Sequence, residues 1–342
     1  MSDRSLEFAN KIIAKLEEGY IPWRSVYGGS YDHGGHVEMH ATPANIVSLR
    51  PYEGKNYLNA LIAIGLHNWK SAWFATYKQW QENDCVVKKG EKSISICSWR
   101  EKVEKDSAGN VINTDWVQKW FAVFNLHQVE ALSEKGQLFL NMSREIVSSH
   151  VKYVKIPSHI VDYHGEEYFN IPQLDNIPAA LGVNIKVGGK AKEAFYDYKK
   201  DVIQMPAMTE FESTNAYYTT LLHECVHATG LSKRIGRIES GKMLNDAKYA
   251  REELIAEFAT ILLADYFGTV AVYLENHAGY IQHWIRALKA EPKYLMDIMG
   301  DAVKAKQFIL EKIGVKNGGK TKLATGSNAV AGAEAEVECV PA

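Results

Sequence analysis

The chain has 342 residues, enough for two or three domains, and its 46% apolar and 23% charged content is that of an ordinary globular protein. A formal net charge of -2 excludes a general electrostatic pull toward nucleic acid or anionic membrane, so any such binding must come from a local patch. No apolar run of about 18 residues marks a spanning helix. The charged start (MSDRSLEFANKIIAKLEEG) lacks the apolar stretch of a secretory signal. Cys85, Cys97, Cys225 and Cys339 form no CxxC pair, so a reducing, cytoplasmic setting with no disulfide framework and no membrane partner is expected.

In chain order, Leu6, Ala9, Ile12, Ile13 and Leu16 recur at helical spacing and Gly19 follows as a stop. Residues 28–40 read as a Gly- and His-rich loop. A helix is predicted over 57–66. A strand, a turn and a helix follow over 71–80, with Thr76 as N-cap. Residues 86–90 read as a turn between strands. Strands over 93–99 and 116–124 flank a hairpin signal at Ala108-Gly109-Asn110. This α+β domain is expected to span 1–140. A mostly helical domain is expected over 141–313. It contains a hairpin over 194–205, turning near Lys199-Lys200, and helices over 217–229, 250–267, 277–289 and 294–313. The small and polar residues of 314–342 predict a disordered tail.

The strongest chemical signal is His223-Glu224-Cys225-Val226-His227, an HExxH pattern. On a helix, residues four apart share a face, so both imidazoles converge on one point. Zinc takes nitrogen and carboxylate ligands and keeps a position open for water when it is catalytic. Glu224, beside the first ligand, is the candidate catalytic base. The third ligand is sought in Tyr249-Ala250-Arg251-Glu252-Glu253-Leu254-Ile255-Ala256-Glu257. Glu253 is preferred over Glu252, because Glu257 then stands one turn on, placed to accept the second ring N–H of a ligand histidine. Manganese or cobalt would also be accepted by such a site. Cys225 points away from both histidines and reads as a small buried residue. His277 and His283 are six apart, on different helix faces, and His127 and His164 are isolated.

Beyond HExxH, Asp201-Val202-Ile203-Gln204-Met205-Pro206, Phe211, Arg234 and Arg237 complete a larger pattern in the second half. The first half carries Arg50-Pro51-Tyr52-Glu53-Gly54-Lys55-Asn56, Trp73-Phe74-Ala75-Thr76-Tyr77-Lys78-Gln79 and Val87-Lys88-Lys89-Gly90-Glu91-Lys92. It ends on Phe121-Ala122-Val123-Phe124-Asn125-Leu126-His127-Gln128-Val129. Together these motifs resemble the ArdC family of antirestriction proteins, also seen at the N-terminus of TraC-type plasmid primases. The resemblance covers the chain to about residue 313.

It implies an N-terminal domain that binds single-stranded DNA and a C-terminal zincin-like metallopeptidase domain, in a protein of a mobile element that protects incoming DNA. A host restriction component is the kind of protein substrate it implies. Candidate DNA contacts on this basis are Arg50, Tyr52, Asn56, Trp73, Lys78, Gln79, Lys88, Lys89, Lys92 and Asn125. Aromatic faces and cations are what sequence-tolerant single-strand binding requires. Trp23, Tyr57, Tyr77, Trp80, Trp99, Trp116, Trp120 and Phe124 are further aromatics of this half, most of them expected in the core. Two other functions fit the residues: an intracellular zinc metalloprotease whose first domain recognises protein, and a replication accessory with structural zinc.

Overall fold

The computed structural model describes residues 3–23, 42–105, 107, 109, 111–150, 170–189, 193–238, 246–267, 278–290 and 294–315. The Gly- and His-rich loop, His164, His277, Cys339 and nearly all of the predicted tail lie outside them. The amphipathic start forms helix α1 (Asp3–Glu17), which buries Ala9, Ile12, Ile13 and Leu16. Strand β1 (Ala44–Asn45) precedes helix α2 (Gly54–His67). Strand β2 (Trp73–Thr76) runs directly into helix α3 (Tyr77–Glu82). Thr76 caps α3 by accepting from the Gln79 backbone, and the Gln79 side chain reaches back in a reciprocal capping box.

Strand β3 (Cys85–Val87) is followed by the hairpin β4 (Ile94–Lys105) and β5 (Val111–Asn125), then strand β6 (Val129–Ala131). Both hairpin strands outrun their predicted extents. Main-chain pairing continues from Ile94↔Val123 out to Lys105↔Val111, through charged residues that carry no apolar alternation. The first sheet has the order β1-β2-β5-β4, and a separate pair joins β3 to β6. Strand β4 is an edge, and α2 covers it. Asn56 donates to Cys97 O at 2.6 Å and accepts from Cys97 N at 2.8 Å, while Asn59 donates to Ser95 O.

Helix α4 (Glu134–His150) has no counterpart among the predicted elements and runs through residue 140. Two short helices, α5 (Pro172–Asp175) and α6 (Ile177–Ala180), lead to strands β7 (Asn184–Val187), β8 (Phe195–Asp197) and β9 (Val202–Met205). The expected β8–β9 hairpin is present. Strand β7, which pairs parallel to β9, is an addition; all four of its residues are exposed, so no alternation announces it. Helices α7 (Thr214–Thr229), α8 (Asp246–Phe267), α9 (Ala278–Ala290) and α10 (Tyr294–Lys312) complete the chain. The architecture is α+β, with sheets in the first half and helices dominating the second.

One hydrophobic core runs through both halves, from α1 and α2 to α7, α8, α9 and α10. Trp23 lies edge-on to Phe258 of α8, with ring centroids 5.0 Å apart, and 5.9 Å from Trp284 of α9. At Gly65 of α2, an added Cβ would stand 1.8 Å from the carbonyl oxygen of Pro22, so only glycine permits this approach. No helix among the described residues is long and apolar enough to cross a membrane.

Candidate metal centre

Ser213 starts α7 by accepting a hydrogen bond from the Ala216 backbone at 3.1 Å. Almost every side chain of the helix is buried, including polar Thr219, Thr220, Glu224, His227 and Thr229. It packs against α8, α10 and the edge strand β8. In that setting His223 and His227 project to one side, and α8 crosses with Glu253 opposite them.

The Nε2 atoms of His223 and His227 are 3.0 Å apart. One Glu253 oxygen lies 3.4 Å from His223 Nε2, and the other lies 3.4 Å from His227 Nε2. Four-coordinate zinc, with bonds of about 2.0–2.1 Å, sets its donors roughly 3.3 Å apart. The three side chains therefore have the separations a small dication needs. They are the group among the described residues whose donor atoms all fall within 4.8 Å of one another. Between the two acids weighed from the sequence, the geometry brings Glu253 and not Glu252 to both rings.

Glu252 has a different task. Arg237 grips it with Nε at 3.1 Å and Nη2 at 2.5 Å, and also donates to Val226 O and to Thr229 Oγ1 near the end of α7. Glu252 then faces Nδ1 of His227 at 3.7 Å, and the Tyr198 hydroxyl stands 3.2 Å from the same nitrogen. Glu257 is buried one turn beyond Glu253, and Nδ1 of His227 is met by Tyr198 and Glu252. A sidechain 29 residues away in sequence, just past β8, supplies this contact. No local spacing signals it.

Electrostatics state the same demand as the distances. Burial works against a charged His227 ring, yet Glu253 and Glu252 outweigh it and push its pKa up to about 10. For Glu253, burial favours the neutral acid, but His227 and His223 hold it well below the usual carboxylate range. Burial pushes Glu224 up, opposed by both histidines and by the backbone N–H of Tyr196. Glu224, Glu252, Glu253 and Glu257 are all buried, and such a concentration of acid calls for positive charge among them. The set fits a divalent metal. Cys225 is fully buried in the core, and burial raises its thiol pKa.

A second arginine braces the site from below. Arg234 takes both oxygens of Asp201 at 2.8 and 3.0 Å and donates to Ala228 O, tying the β8–β9 turn to the end of α7. Lys233 and the Tyr196 hydroxyl also meet Asp201.

Comparison with known proteins fits this geometry. A family described as a zincin-like metallopeptidase matches residues 172–299, and the N-terminal domain of anti-restriction factor ArdC matches residues 2–129. Crystal structures of the antirestriction ArdC protein from the R388 plasmid superpose at 26% identity. The metal-free form has a TM-score of 0.61, covering 91% of this chain and 98% of that one. The Mn(II)-bound form has a TM-score of 0.62, covering 92% and 99%. The chain belongs to the ArdC-type antirestriction proteins. The uncharacterized protein y4eC of Sinorhizobium fredii is 28% identical over 292 residues, covering 83% of this chain and 84% of that one. A DNA primase TraC of Escherichia coli is 26% identical over 323 residues; the match takes in 89% of this chain but 27% of the primase.

The ten residues picked for DNA contact do not form one surface. Tyr52, Trp73 and Asn125 are buried, which corrects the expectation that they face a nucleic acid. Asn125 donates to Ser71 O at 2.8 Å and accepts from His127 N at 3.0 Å. Asn56 and Gln79 spend their amides on β4 and on the α3 cap. Lys88 donates to His127 O at 3.0 Å, and Lys78 lies 3.6 Å from Glu82. Arg50, Lys78, Lys88, Lys89 and Lys92 are exposed.

Proposed function

We propose that this ArdC-type protein binds single-stranded DNA entering a cell on a mobile element and hydrolyses an amide bond at a zinc centre. The convergence of His223, His227 and Glu253, with Glu224 buried beside them, carries the hydrolytic part. Two nitrogens and a carboxylate suit zinc, and manganese is a second candidate, since a related ArdC structure is Mn(II)-bound. Once bound, the metal would acidify a water and polarise a carbonyl.

The protein's own groups divide the remaining work. His223, His227 and Glu253 hold the ion. Tyr198 and Glu252, the latter braced by Arg237, meet Nδ1 of His227 and so keep its Nε2 lone pair for the ion. Glu224 takes a proton from the attacking water and returns it to the leaving nitrogen; the burial that raises its pKa favours that exchange. On this reading residues 1–140 handle the nucleic acid and residues 141–313 the chemistry, with a host restriction component as the class of protein substrate. Metal analysis of purified protein and of His223→Ala tests the centre. Equal metal content in both would remove the assignment.

A further inference from the structure

Once buried aromatics are set aside, a row of rings remains on one side of the first sheet. Trp120 of β5 is 53% exposed and Tyr77 is 45% exposed. Half-buried Phe124 has its ring 6.4 Å from that of Tyr77 in an edge-on arrangement. Trp120 and Phe124 are four apart on one strand, so they share a face about 13 Å apart. Both line a cleft of about 350 Å³ between α1, α2 and the hairpin, with Asn59, Ser95, Lys11 and Lys92 on its other walls.

We infer that Trp120, Phe124 and Tyr77 form the stacking platform for single-stranded DNA, with one nucleotide entering the cleft beside Lys92. The inference rests on the single-strand reading given above and places it at rings outside the ten candidate contacts. Three features favour this occupant. Flat, accessible rings accept any base that is free of a duplex. The cleft has about the volume of one nucleotide, and the Ser95 hydroxyl on its wall is suited to a base edge. Its charge is balanced: Lys11 and Lys92 face Glu7 and Glu91, and Lys11 pairs with Glu7 at 3.1 Å. A balanced cleft holds a strand by stacking more than by counterion release. With Lys92 and the exposed Lys78 as the phosphate partners, the log–log salt slope is about -1.4.

The experiment is fluorescence anisotropy with a labelled oligo-dT and the full chain at two salt concentrations, for wild type, Trp120→Ala, Trp120→Phe and Tyr77→Ala. Circular dichroism melts verify that each variant is folded. Trp120→Ala is expected to weaken binding about ten-fold or more, Tyr77→Ala about three- to ten-fold, and Trp120→Phe less than about three-fold. Wild-type affinity in a folded Trp120→Ala would overturn the platform while leaving single-strand binding intact. A slope much steeper than about -3 would also overturn it in favour of a cationic surface elsewhere. No binding by wild type at either salt would remove the platform together with the single-strand reading.

Discussion

The helical metal region and the sheet region answered the same kind of question differently. In α7 and α8, a spacing in sequence became a spacing in space: four residues are one helical turn, so His223 and His227 had to meet. In the sheet half, residues chosen by type and motif scattered. Tyr52, Trp73 and Asn125 went to the core, while Trp120 stayed in solvent. A helix carries its own geometry. A strand shows which residues alternate, but which face is covered depends on what packs against it.

The comparison breaks first at Glu224. Glu224→Ala is expected to keep the metal and lower any hydrolysis by about 10³-fold, read by metal analysis beside a peptide cleavage assay. Residual activity within ten-fold of wild type would show that the motif's spacing does not carry the chemistry. His223→Ala is expected to weaken metal binding by more than about 10²-fold in a competition titration.

Tyr198→Phe probes the part of the centre that spacing does not reveal. It is expected to lower metal affinity about ten-fold with the fold intact, whereas an unchanged affinity would assign the orientation of His227 to Glu252 alone. In the sheet region, Asn125→Ala is expected to cost about 1–3 kcal/mol of stability, because Ser71 O and His127 N lose their buried partner. DNA affinity of its folded fraction should not change. A selective loss of binding would restore Asn125 as a contact.

The smallest effect is a pH dependence. Burial opposes ionisation of Asp201, but Arg234, Lys233 and Tyr196 outweigh it and hold its pKa at about 2. A carboxylate with a lowered folded pKa stabilises the fold above its unfolded value of about 3.9, and that contribution is lost as pH falls through about 2. Denaturant melts across that window should show about 1–2 kcal/mol of pH-dependent stability in wild type, less than full linkage because the group is partly solvated. Asp201→Asn should flatten it.

Much of the helical framework was legible from periodicity. The predicted helices over 217–229, 250–267 and 294–313 correspond to α7, α8 and α10, and Thr76 caps α3 as its type and position suggest. What escaped has a common cause. Strand β7 is held by backbone pairing with exposed side chains, and β4 and β5 continue through charged residues for the same reason. Main-chain hydrogen bonds leave no trace in side-chain pattern.

By itself the sequence determined that His223 and His227 pair, with Glu224 next to them in the chain, and that α7 and α8 are helices, because each depends on relations within one or a few helical turns. Only the tertiary structure decided that Glu253 joins the histidines while Arg237 holds Glu252, that Tyr198 reaches His227, and that Trp120 is left uncovered. Those outcomes depend on how separate elements cross, and a crossing is set by packing over the whole core.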